Sequence, residues 1–263
     1  MLRPASKYGI AGAVTALLAL TGCGSSSGGS GGDPTDAPTT ATTTQAAAKD
    51  KGPVCVGEAP ADGVHVLRGG GFRLPGGGVQ YAAATADGTT RTATLRDGAK
   101  YEDGQKQQSV KAGQRITVGG HAYTVSQICS YRVVLEPQDA KDKATLAAAP
   151  KSLASQGGEA DNGLCFTTNP EVLAAASKGF PARGETQSLL DNGGVWKFPT
   201  GLSITVSYVD TDTGTAGLGA NCAAIAVADY KDVRVGDTVE FAGVRFEISE
   251  LTDDAVRMTR TSA

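Results

Sequence analysis

The chain is poor in aromatic residues and histidine and has no surplus of positive charge, and each shortage removes a class of function. Phe, Trp and Tyr make up 5% of the 263 residues. Cores must therefore be assembled from Val, Ile, Leu and Ala, each burying less area than a ring, and this raises the value of covalent cross-links. Lys and Arg number 24 against 27 Asp and Glu, for a net charge of -3. With no basic surplus to neutralise phosphates, nucleic acid is not an expected partner. Two histidines and the lack of any C-x-x-C spacing supply no structural metal site, and no cofactor is expected. The apolar run Ile10 to Leu20 is too short to span a bilayer.

What is present is a repeat. Val110 to Leu135 reads VKAGQRITVGGHAYTVSQICSYRVVL and Val233 to Met258 reads VRVGDTVEFAGVRFEISELTDDAVRM, with Gly113 facing Gly236, Gly120 facing Gly243 and Val125 facing Ile248 at one offset. Val239, Phe241, Val244, Phe246 and Ile248 share one face around Ala242-Gly243, and Arg245, Glu247 and Ser249 take the other. Alternation of this kind around a Gly-containing turn predicts a hairpin packed on a core by one side. The first copy follows the rule with Ile116, Val118, Tyr123 and Val125.

The landmarks extend upstream. Trp196-Lys197-Phe198-Pro199 answers Phe72-Arg73-Leu74-Pro75, and Cys165 and Cys55 each stand five residues before a proline. Val79, Tyr81 and Ala83 are expected on one face before an Asp87-Gly88 turn, and Leu202, Ile204, Val206 and Tyr208 on one face of a half-buried strand. A short strand is expected at Val64 to Leu67. Asn169 as N-cap, Pro170 at the first position and Gly179 after Lys178 predict a short helix. The fold class is all-β, with two tandem homologous domains, each a small β-sandwich or partly open, barrel-like domain, at 53–137 and 164–261. Residues 138–163 read as a linker with one or two helical turns around Lys141 to Ala149.

At the N-terminus, Arg3 and Lys7 precede the apolar run, and Leu20-Thr21-Gly22-Cys23 follows it. This resembles the signal and lipobox of bacterial lipoproteins. The resemblance covers the first 23 residues; it implies a signal peptide at 1–22, lipidation of Cys23 including a palmitate-type acyl chain, and a place on the outer face of the cell membrane. Residues 23–52 are Gly, Ser, Thr and Pro rich and read as a disordered tether, a combination similar to surface lipoproteins of high-GC Gram-positive bacteria. The two β cores also resemble an uncharacterised actinobacterial family, which brings no activity with it.

Cys55, Cys129, Cys165 and Cys222 remain after Cys23. An even number in an exported chain implies disulfides with three possible pairings. One bridge per domain, Cys55 with Cys129 and Cys165 with Cys222, is the simplest, at roughly 3 to 4 kcal/mol each. Thr252 aligns with Cys129, so crossed pairing stays open. Gly24-Ser25-Ser26-Ser27-Gly28 matches a nucleophile pattern without the strand and helix it needs. Asp210-Thr211-Asp212-Thr213-Gly214 touches both aspartic-protease and calcium-loop patterns, but its alignment with Asp87 favours a hairpin turn.

His121 aligns with Val244 and reads as semi-buried and structural, His65 as solvent-facing, and Trp196 as core in preference to a sugar platform. No catalytic residue emerges. The expected function is a noncatalytic binding or interaction module for an envelope protein, a wall polymer or a small ligand, joined to the membrane through Cys23. The alternatives are an envelope hydrolase gathering dispersed groups such as Asp212, His121 and Glu247, or a solute-binding lipoprotein. Oligomeric state is not legible.

Overall fold

The structure is a computed structural model, which describes residues 52–148, 163–198 and 201–262. The lipobox, the tether up to Lys51, the segment 149–162 and Pro199 lie outside the described residues. The described residues belong to one compact unit. They form an all-β protein of four antiparallel sheets.

The first half contains β1 (Cys55–Gly57), β2 (Val64–Leu67), β3 (Gly71–Leu74), β4 (Gly77–Asp87), β5 (Thr90–Asp97), β6 (Gln107–Lys111), β7 (Arg115–Val118), β8 (His121–Cys129) and β9 (Arg132–Pro137). After α1 (Ala140–Ala147), a 3-10 turn at Leu164–Phe166 and α2 (Pro170–Ala176) come the strands of the second half. These are β10 (Thr186–Leu190), β11 (Val195–Lys197), β12 (Leu202–Asp210), β13 (Thr215–Cys222), β14 (Ile225–Val233), β15 (Thr238–Phe241), β16 (Val244–Thr252) and β17 (Ala255–Arg260).

The two halves trace the same path. One sheet of the first half runs β2-β9-β8-β7 and its counterpart β10-β17-β16-β15; the other runs β3-β4-β5-β6 and its counterpart β11-β12-β13-β14. The first half adds β1, which continues along the β8 edge beyond β7 and pairs Cys55 with Cys129. Within each half the two sheets enclose a core. Val66, Tyr81, Leu95, Val125 and Leu135 meet in the first, and Ile204, Leu218, Phe246, Ile248 and Met258 in the second.

The repeated hairpins follow the sequence pattern. Val239, Phe241, Val244, Phe246 and Ile248 are buried while Arg245, Glu247 and Ser249 are exposed. The Gly119-Gly120 and Ala242-Gly243 turns put both central residues at positive φ, the two-residue geometry that matches strand twist. At the β4–β5 turn Asp87 pairs with Thr90, so Gly88 and Thr89 are the central residues, one position later than the sequence reading placed them.

Two alternations break where the sequence reading had them continue. The pairing slips between Tyr81 and Ala83 on β4, and between Val206 and Tyr208 on β12. One extra residue reverses the faces beyond it. Ala84 instead of Ala83 packs on the first core, and Val209 instead of Tyr208 packs on the second. Equivalent bulges in both halves give the duplication a structural mark that the residues themselves do not carry.

Part of the expected linker is folded. Asp139 caps α1 by accepting from the Lys141 and Asp142 N–H groups, and Leu146 is buried in the first core. The predicted Asn169 cap is present on α2, accepting from Glu171 and Val172 N–H at 2.9 and 3.2 Å with Pro170 at the start. The helix ends at Ala176, ahead of the Gly179 stop.

The halves interlock. Phe166 of the second half enters the first core edge-on to Phe72 at 5.7 Å, and Ile225 joins the same core. Tyr131 of the first half is buried with the second core, and its carbonyl oxygen lies 3.2 Å from the Tyr230 hydroxyl. Asp229 N–H donates to the Arg68 carbonyl at 3.0 Å, and Arg68 reaches the Lys231 carbonyl at 3.1 Å. The close approach is possible because Gly70 has no side chain: a Cβ there would run into the Val227 backbone. Gly70→Ala is accordingly expected to destabilise the protein by about 1–3 kcal/mol, the usual cost of overpacking. Gly113→Ala should cost only about 1 kcal/mol from its positive φ, because open space surrounds it. Thermal melts of the two variants check the contrast.

Candidate functional site: a cavity between the two halves

A cavity of about 520 Å³ lies where the halves meet. Leu67 on β2 and Phe72 on β3 supply one wall. Leu164, Cys165 and α2 with Leu173 supply another, and Leu202, Val227 and Val244 close it from the second half. The size falls within the roughly 300–1,000 Å³ range of small-molecule sites, which are mostly apolar with a few placed polar groups. The polar groups here are Glu240, His65, Arg260 and the hydroxyls of Thr167, Thr168 and Ser177.

Glu240 is the residue the sequence missed. Alternation along β15 points Val239 and Phe241 inward, so Glu240 reads as solvated. It is 1% exposed because the first half covers the outer face of its strand. Arg132 on β9 donates from Nη1 to Glu240 Oε2 at 2.7 Å and from Nη2 to Gln127 Oε1 at 3.0 Å. The same Nη1 is 3.1 Å from His65 Nδ1, and His65 Nδ1 is 3.4 Å from Glu240 Oε1. His65 is therefore half-buried in an inter-half polar cluster, and its expected solvent-facing role is corrected. The reason is the same burial of a sheet face that a single-domain reading treats as free. Beneath the cluster, Tyr230 is fully buried, with its hydroxyl 3.0 Å from the Glu240 carbonyl and accepting from the Glu240 N–H at 3.2 Å. Burial, with the Glu240 charge adding to it, pushes that phenol far above its ordinary range.

The cavity hydroxyls are committed to local structure. Thr168 Oγ1 donates to the Leu146 carbonyl at 2.6 Å, Ser177 Oγ donates to the Ala174 carbonyl at 3.0 Å, and Thr167 Oγ1 accepts from the Asn169 N–H at 3.1 Å. None is held on His65, the base a nucleophile would need.

The residues weighed for a hydrolase are not brought together, and none of Asp212, His121 and Glu247 lines the cavity. His121 Nδ1 lies 2.7 Å from Asp142 Oδ2, tying α1 to β8. This is the structural role expected of it, though it is reached by a side-chain hydrogen bond in place of packing. Burial first, then the Asp142 carboxylate, raises the neighbouring Tyr123 hydroxyl to about 12. Asp210 to Gly214 is the β12–β13 turn, in which Thr213 N–H donates to Asp210 Oδ1 at 3.0 Å and holds that carboxyl below the usual range. A lowered value means that this contribution is present at neutral pH and is lost as the pH falls through the folded-state value. Glu247 is on the exposed face of β16. Trp196 packs beside Phe180, Phe198 and Phe246 at ring separations of 6.1–6.3 Å, partly buried at the edge of the second core.

The disulfides are Cys55–Cys129 and Cys165–Cys222. They are not equivalent within the duplication. The first joins two neighbouring strands, whereas the second pins the segment leading into α2 to the end of β13, and both of its cysteines line the cavity. The loops they close, 74 and 57 residues in sequence separation, correspond to about 4 kcal/mol each in the chain-entropy account.

No protein family, curated protein or solved structure matches this chain.

Arg132→Ala is expected to cost about 3–5 kcal/mol, because it strands a buried carboxylate between the halves. The double variant Arg132→Met with Glu240→Leu should restore most of that loss. Denaturant titrations of the three proteins check both statements.

Proposed function

We propose that the chain is an extracytoplasmic lipoprotein, held at the outer face of the cell membrane by acyl chains on Cys23, whose two β domains form one noncatalytic small-molecule binding module. The observation that carries the reading is the largely apolar inter-domain cavity with a single buried carboxylate at its wall. The lipobox supports the anchor, and two disulfides suit an oxidising compartment. Among the described residues no helix is long and apolar enough to cross a membrane.

Of the sequence-derived alternatives, the solute-binding lipoprotein lies nearest to this reading. Two lobes flank a site, although interlocked cores and the Gly70 approach oppose hinge closure between them. Tandem domains offering two independent sites for a wall polymer or an envelope protein fit less well, since the cavity is lined by residues of both halves. A hydrolase needs a gathered nucleophile, base and orienting group, and Asp212, His121 and Glu247 are not gathered at the cavity among the described residues.

Two measurements on the full chain in its host test the proposal. Cys23→Ala should move the protein from the membrane to the soluble fraction, and equal membrane retention would refute the anchor. Mass spectrometry of the gently purified wild-type protein should find a small molecule that is missing from Ala176→Phe, a substitution on the α2 wall of the cavity. No co-purifying compound in repeated preparations would refute the binding site.

A further inference from the structure

The chemistry of the cavity wall specifies a class of ligand, an inference that rests on the small-molecule reading above. Arginine keeps all its protons, so in the 3.1 Å contact with Arg132 Nη1 the acceptor is His65 Nδ1, in the tautomer that carries its proton on Nε2. No proton then lies between His65 Nδ1 and Glu240 Oε1, which are 3.4 Å apart. Oε2 is served by Arg132 at 2.7 Å, whereas Oε1 is left without a close donor on a side chain that is 1% exposed. Leaving such an oxygen unserved carries the full desolvation cost of the group, which is larger for a charged one. The residue lines the cavity, so a ligand can supply the missing hydrogen bond. An anionic head would instead be set against a buried carboxylate. Arg260, the one Lys or Arg among the described lining residues, gives Nε to the Ser262 carbonyl at 3.0 Å and Nη1 to the Pro181 carbonyl at 2.9 Å.

We propose that the cavity holds a single-chain amphiphile. Its alkyl part lies among Leu67, Phe72, Leu164, Leu173 and Val227, and its hydrogen-bond-donating head, a hydroxyl or an ammonium, meets Glu240 Oε1. The apolar part displaces water from an apolar surface, and the head restores the hydrogen bond that the buried carboxylate lacks. The Cys165–Cys222 bridge holds the α2 wall over the chain.

The test uses the full chain as its Cys23→Ala form, so that no detergent competes, and isothermal titration with dodecylamine, dodecanol and dodecanoate below their aggregation limits. Dodecylamine and dodecanol are expected to bind one per chain, with dodecanoate at least about tenfold weaker, the equivalent of one charge-assisted hydrogen bond. Ala176→Phe and Val227→Phe, each checked for an intact melt, are expected to abolish binding. Glu240→Gln should weaken dodecylamine at least about tenfold and dodecanol less; if that variant does not fold, the head-group order on the parent chain decides. Dodecanoate binding as tightly as dodecylamine overturns the assignment of the head at Glu240. No dodecyl compound binding, while another compound co-purifies from the host and is lost in Ala176→Phe, overturns the amphiphile class and leaves the cavity as a site. Unchanged binding in both filled variants overturns the site and the class together.

Discussion

Burying a carboxylate is tolerable only when its partners are buried with it, and Glu240 has its partner in the other half of the chain. The Arg132–Glu240 contact therefore forms only when the two halves dock, and it offsets the desolvation that docking imposes on the carboxylate. Undocked halves return both side chains to water and expose apolar surface, so the apolar contacts favour docking while the ion pair fixes how the halves meet. The other junction features follow the same constraint. Gly70 allows backbone to meet backbone, Phe166 and Ile225 lodge in the first core, and the Tyr230 hydroxyl bridges Tyr131 to β15. The cavity lies at the same junction and takes its lining from both halves, with Glu240 common to it and to the ion pair, so binding depends on the junction instead of on either domain alone.

Duplication supplied two copies of one sandwich, and the copies have since acquired different tasks. The first carries β1 and its strand-to-strand disulfide. The second carries α2 and a disulfide that anchors this helix beside the cavity. Thr117 of the first copy is exposed where Glu240 of the second is buried, although both occupy the same place in the repeated hairpin. Asymmetry at the junction is what turns two similar domains into one site.

Much of the fold was legible because its signals are local. Period-2 alternation gives the faces of β7, β8, β15 and β16, Ala242-Gly243 marks the hairpin turn of the second copy with Gly120 facing Gly243 in the first, and Asn169-Pro170 marks the start of α2. The disulfide pairing followed the simplest count. What was not legible depends on contacts between distant segments. The bulges at Ala82 and Ser207 leave no signature in residues that suit either face of a strand, so Ala83 and Tyr208 were placed on the wrong side. Glu240 and His65 look solvated in their own strands, because only docking of the other half covers them. The cavity is a property of that docking and has no sequence pattern of its own.

Cooperative unfolding of the two halves as one unit can be measured directly. The chain has a single tryptophan, Trp196, and it lies in the second half, packed at the edge of the core there. Its fluorescence reports the unfolding of that half by denaturant, while hydrogen exchange at Val66, Tyr81, Leu95 and Val125 amides reports the first. Coincident transitions with one midpoint are what a junction built on a shared buried ion pair and exchanged core residues predicts. Two separated transitions, with the first-half amides still protected after Trp196 has become exposed, would contradict it.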